Sequence, residues 1–235
     1  TVSAGSLKLT ETGRLNSEVT MTGGILDVDE SSTLSGALTQ SGNITIDVAE
    51  NKTFTYSGAA INIGPNTLTV EGGGILYQAL RDTNALILNN SSSKLHLKST
   101  TISSLKTAAN SSGLDVDGNS TVTALEVGHT TPLSIAQGVT LSGGVSVTAG
   151  SLKLNESGTL ASTVAMSGGT LDADESATVS GALTHSADIT IDVANTKTLT
   201  YSGTAIGVGA HTITLTGGGT LTSGGMNLNN AASKL

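Results

Sequence analysis

The residues best equipped for chemistry in this sequence are carboxylates, and they recur. Asp27, Asp29 and Glu30 form the run DVDE, and Asp172, Asp174 and Glu175 form DADE further along. A third group, Asp115, Asp117 and Asn119, is followed by Glu126. Alternating acids with a later glutamate imitate part of a calcium-binding loop. The imitation is poor: Gly118 stands at the wrong place, and the flanking residues alternate as strands do rather than as helices do. The clusters are read as solvated strand ends, with no cofactor and no metal ligands expected and calcium as the weaker reading.

Other reactive groups are sparse. His96, His129, His185 and His211 lack metal-ligand spacing, and cysteine is absent. Arg14 and Arg81 are the only arginines. A polysaccharide-cleaving site needs acids, bases or arginines clustered in a groove, and the sequence offers none, so no catalytic residue is assigned and the chain is not expected to be an enzyme. The chemically densest stretch is YQALRDTNALIL at 77–88. It lengthens one segment, and Tyr77, Gln78, Arg81, Asp82 and Asn84 are expected to protrude there as a surface loop. Thr-x-Thr pairs are frequent: Thr20/Thr22, Thr53/Thr55, Thr67/Thr69, Thr121/Thr123, Thr198/Thr200 and Thr212/Thr214. Threonine ranks on one flat face suit ice binding, but Thr53 and Thr67 fall at different offsets within the repeat described below. Asn43, Asn51, Asn110, Asn119 and Asn155 head glycosylation sequons, which matter only in a cell that glycosylates them.

Composition bounds the class of function. Asp, Glu, Lys and Arg make up 12% of 235 residues, against about 25% in ordinary domains. The aromatic set is Phe54, Tyr56, Tyr77 and Tyr201, so any core must be built from aliphatic side chains. A net charge of −8 with scattered lysines argues against a nucleic-acid partner. No apolar run is long enough for a membrane-spanning helix, and no secretory leader is expected in TVSAGS.

What organises the chain is a repeat within a repeat. AGSLKL at 4–9 returns at 149–154, and ITIDVA at 44–49 returns at 189–194. Over residues 2–76, 48 of 75 positions are identical to those 145 residues later. The chain is therefore read as one continuous domain over 1–235, with a first unit at 2–145 and a partial second at 147–235. Within each unit a short apolar motif restarts every 19–27 residues, at Leu7, Leu26, Ile46, Leu68, Leu95, Leu114, Leu133, Leu152, Leu171, Ile191, Ile213 and Leu235. Eight residues after each start stands a second apolar residue, such as Leu15, Leu34, Phe54 and Leu76, with Ser103 as the exception.

A period near twenty points to a solenoid. Leu7-Lys8-Leu9 and Ile44-Thr45-Ile46 alternate with the period of a strand, and Gly, Ser and Asn punctuate each repeat. The expected fold is all-β: a right-handed parallel β-helix of about 11 coils. Leu7, Leu26 and Ile46 face inward, one above another, while Lys8, Asp27 and Asp47 form an outward ladder echoed by Lys153, Asp172 and Asp192. That ladder is read as setting register and solubility.

The 19–22-residue coils, the GG-x-L-x and SG-x-L turns, and the Ser/Thr/Gly/Asn-rich, cysteine-free, acidic composition resemble the β-helical stalks of secreted bacterial adhesins, the filamentous haemagglutinin and autotransporter passenger families. The resemblance is one of repeat style and carries no site residues. It implies export to the cell surface, a long stiff rod, and attachment to cell-surface glycans or matrix. Leu235 opens a new coil, so partners are expected to include further copies, in a longer array or stacked in a fibre. The functional expectation is a non-catalytic extracellular structural or adhesive rod. A carbohydrate-binding or polysaccharide-cleaving β-helix is the alternative, and an ice-binding solenoid the second.

Overall fold

Each short repeat becomes one turn of a coil. The structure is a computed structural model that describes residues 1–78, 86–110, 112–228 and 234. The described residues form strands and turns, without a helix. All strand pairs are parallel, and the eleven-stranded first sheet takes one strand per coil, from Ser6–Leu9 to Ile213–Thr216. A second sheet runs beside it, from Arg14–Leu15 to Thr220–Ser223. Short strands such as Val19–Met21, Leu38–Gln40 and Leu183–His185 make the third side. In the middle coils Ser120–Val127 and Thr140–Val147 are long enough to serve both the second and third sides, bending at an irregularity between Val122 and Leu125. The chain is a β-solenoid.

Strand alternation explains the core. Leu26, Val28, Ile46, Val48, Leu68 and Val70 are buried on the first sheet, while the residues between them face out. Equivalent residues stack: Leu7 lies beside Leu26, and Leu26 beside Ile46. Each coil buries the same positions as its neighbours, at about 4.8 Å per rung, so the interior is one continuous aliphatic column. Phe54, Tyr56 and Tyr201 are buried within it.

The register departs from the repeat at three places. Ile46 pairs with Val70 rather than Leu68. Leu133 pairs with Leu154 rather than Leu152, and Ile191 with Leu215 rather than Ile213. The second sheet slips in the same coils, where Leu34 meets Tyr56, Val122 meets Gly143, and Val179 meets Tyr201. Each slip is two residues. A slip of one would turn the apolar set outward, whereas two preserves the buried face.

A shared turn produces these slips. Lys52 N–H donates to Ala49 O at 3.0 Å, Val139 N–H to Ala136 O at 2.9 Å, and Lys197 N–H to Ala194 O at 3.0 Å. The third residue of each turn takes positive φ: Asn51 at 63°, Gly138 at 79° and Thr196 at 67°. The turn adds two residues to the corner, so the following strand starts two residues late. Ser103 also finds its explanation, because Ile102 is the residue that stacks on Leu76 and Val122.

Side chains satisfy backbone at the corners. Asn43, Asn110 and Asn119 accept the amide protons of Thr67, Thr130 and Thr140, one coil on, at 2.9, 3.1 and 2.8 Å. Three of the sequon asparagines are therefore clasps between coils. Tyr201 Oη accepts Leu183 N–H at 3.0 Å and donates to Thr204 O at 2.7 Å. Tyr56 Oη accepts Leu38 N–H at 3.1 Å in the first unit.

Candidate functional site

The acidic clusters are distributed along the outside of the first sheet rather than gathered. Lys8, Asp27, Asp47 and Glu71 stand in one column, each beside the next. Lys8 Nζ lies 2.7 Å from Asp27 and 3.4 Å from Asp29. The hydrogen bond from Lys8 holds the Asp27 carboxyl below its ordinary value. Asp47 has no such cation, and partial burial followed by repulsion from Glu71 and Asp27 pushes its carboxyl up.

In the second unit Lys153 reaches Asp174 at 2.9 Å and Asp172 at 3.3 Å. Asp172 is pushed up, by burial first and then by Asp174. The two units thus tune equivalent aspartates in opposite directions: burial dominates at Asp172, where Lys153 sits nearer Asp174, whereas the Lys8 hydrogen bond dominates at Asp27. Glu30 and Glu175 take Lys52 and Lys197, both at 2.6 Å.

The third acidic group disperses as well. Asp117 holds His96 at 2.5 Å, Glu126 holds Lys106 at 2.8 Å, and Asn119 clasps Thr140. Among the described residues no three His, Asp or Glu side chains converge to hold a metal ion.

Two of the histidines, which lack metal-ligand spacing in the sequence, lie side by side. The rings of His185 and His211 approach edge to face, with centroids 5.7 Å apart. His185 Nδ1 lies 3.0 Å from Ala187 O, and its Nε2 is buried without a partner. Their counterparts in the first unit, Gln40 and Asn66, also share a partner, Ile63 O.

The inserted stretch is corrected in part. Tyr77 is 41% exposed, as expected. Gln78, expected to protrude, is fully buried and binds Ser103 and the Ser104 backbone. Leu86–Leu88 is a strand stacked on Leu105–Thr107. Arg81, Asp82 and Asn84 lie outside the described residues.

A groove of about 680 Å³ lies on the bend of the middle coils, lined by Lys106, Ala124, Glu126, Gly144, Ser146 and Thr163 among others. Glu126 is its one carboxylate and is held by Lys106, whereas glycoside hydrolysis uses two.

The threonine pairs separate onto different sides of the coil, which accounts for their differing offsets. Thr53/Thr55 and Thr198/Thr200 lie on the second sheet, Thr67/Thr69 on the first, and Thr20 on the third side. Two sheets therefore carry separate ranks where the sequence suggested no array. No protein-family model, curated protein or solved structure matches the chain.

Proposed function

We propose that the chain is a structural and adhesive rod that works at a cell surface without catalysis. The observation that carries this reading is the uninterrupted first sheet, with one strand from every coil and one aliphatic column beneath it. Eleven rungs at about 4.8 Å give a shaft roughly 50 Å long. Parallel ladders resist bending because the hydrogen bonds between coils run along the shaft, and the near-identical units suit a longer array of further copies. Its partners are then cell-surface glycans or matrix, met repeatedly and weakly along its length, where multivalency supplies avidity.

The test is small-angle scattering combined with surface binding. A rod of about 50 Å that binds immobilised glycan or matrix more tightly as units are added supports the reading. A compact particle, or binding independent of repeat number, contradicts it. The groove at Lys106 and Glu126 favours a second reading, a saccharide-binding β-helix. A glycan array with a reducing-sugar assay separates the two: a single groove-dependent oligosaccharide hit, lost in Glu126→Ala, selects the groove.

A further inference from the structure

One face of the rod carries hydroxyls that the fold does not use. On the second sheet Thr140, Thr159, Thr178, Thr200 and Thr222 stand directly beside one another in five consecutive coils. Thr198 and Thr220 form a second column next to Thr200 and Thr222. The residues between them, Leu160, Val179, Leu199 and Tyr201, are buried, so the threonines face outward. Among the described residues none of these seven hydroxyls has a hydrogen-bond partner in the protein. Some threonine hydroxyls elsewhere are engaged, as Thr121 is with Ser142, Thr131 with Thr107, and Thr216 with Asp192.

The backbone does not require threonine at these places. Arg14, Ile75 and Tyr77 occupy the positions of Thr159, Thr220 and Thr222 in the first unit, on equivalent strands. Neither column contains a charged residue; Lys153, Asp172 and Asp192 stand on the first sheet, and Lys197, which adjoins Thr198, is held by Glu175. Threonine is stiff about χ1 in a strand, so the array holds its methyls and hydroxyls in place before anything binds. Such pre-organisation lowers the entropic cost of adsorption.

We infer that this face adsorbs to ice: its columns repeat at about 4.8 Å between rungs and about 6.6 Å between alternate residues of a strand, a regular uncharged array that a crystalline water lattice can match. The columns offer a regular array of methyls and free hydroxyls, without the charges that hold liquid hydration. They also lack an aromatic ring for stacking on a sugar.

The test uses the whole chain, fluorescently labelled, with ice grown slowly from its solution and thermal hysteresis measured in parallel. The wild-type chain is expected to concentrate on the ice and shape its crystals. The triple variant Thr159→Arg, Thr220→Ile, Thr222→Tyr carries side chains that the first unit already accommodates, and circular dichroism checks its fold. It is expected to lose ice binding at least tenfold. Thr170→Ile, which copies Ile25 onto the other sheet, is expected to bind as wild type. Rejection of the wild-type chain by growing ice overturns the inference. So does a triple variant that binds like wild type, a Thr170→Ile variant that loses binding, or retention on crystalline cellulose or chitin without ice.

Discussion

Removing one oxygen from Tyr201 tests how the coils are fastened to each other. Its ring is buried, and its hydroxyl accepts the Leu183 amide at 3.0 Å from one coil away. Leu183 is itself buried, so in Tyr201→Phe that N–H loses its partner and has no route to water. The second bond, to Thr204 O, ends on an exposed residue that water can serve. The loss is therefore set by one orphaned buried donor, about 1–3 kcal/mol. A solenoid unfolds locally as well as globally, so the sensitive assay is amide hydrogen exchange. At tenfold per 1.4 kcal/mol, protection of the Leu183 amide should fall by about 5- to 150-fold. Tyr56→Phe should do the same to Leu38, seven coils away, and the two effects should add. Tyr77→Phe, at an exposed position, should change stability by less than about 0.5 kcal/mol. Unchanged protection at Leu183 in a folded Tyr201→Phe variant would refute the claim that the hydroxyl fastens that amide between coils.

Three further expectations concern the ladder, the turn and the column. Asp47 has its carboxyl raised above its ordinary value of 3.8, so its ionised form costs stability at neutral pH, and the cost fades as pH falls toward that value. Asp47→Asn should stabilise the chain at pH 7 by about 0.2–1 kcal/mol and have no effect near pH 3. Asp27→Asn should do the reverse, because Asp27 is held low and its contribution is lost only as acid protonates it; urea melts across pH measure both. Thr196 is a β-branched residue at φ 67°, where asparagine is better tolerated, so Thr196→Asn, matching Asn51, should stabilise by about 1 kcal/mol. Ile191→Ala in the buried column should cost about 2–5 kcal/mol in chemical denaturation, whereas Leu228→Ala, at an exposed position, should be nearly neutral.

The architecture was legible because a stacked coil must repeat its buried residues. Leu7, Leu26 and Ile46 announce that rule at a glance, and the outward column of Lys8, Asp27 and Asp47 follows from it. The two-residue slips were less visible, since Leu68 and Val70 are both buried aliphatics of the same parity and either satisfies the pattern. The signal lay in Ala49–Lys52, Ala136–Val139 and Ala194–Lys197, three turns that share a leading alanine and a third residue at positive φ. Gln78 was misplaced because a polar residue in a chemically dense insertion reads as exposed. Only the neighbouring coil, with Ser103 and Ser104, shows how it is satisfied inside. Part of the threonine array was legible, since Thr140, Thr159, Thr178, Thr198 and Thr220 each stand seven residues after a repeat start; only the slip shows that Thr200 and Thr222 continue the column of Thr159 and Thr178.

The register itself is the quantity to measure. The chain has no cysteine, so pairs introduced by mutation report cleanly. Thr45 and Thr69 are direct neighbours on adjacent coils, at about 4.8 Å, within the range a disulfide spans. Asp47 and Thr69 are diagonal, about 8 Å apart by the same geometry and beyond that range. Rapid oxidation of the Thr45→Cys, Thr69→Cys pair with slow oxidation of the Asp47→Cys, Thr69→Cys pair is the predicted result. The opposite preference, or no crosslinking in either, would contradict the stacked coil from which everything else follows.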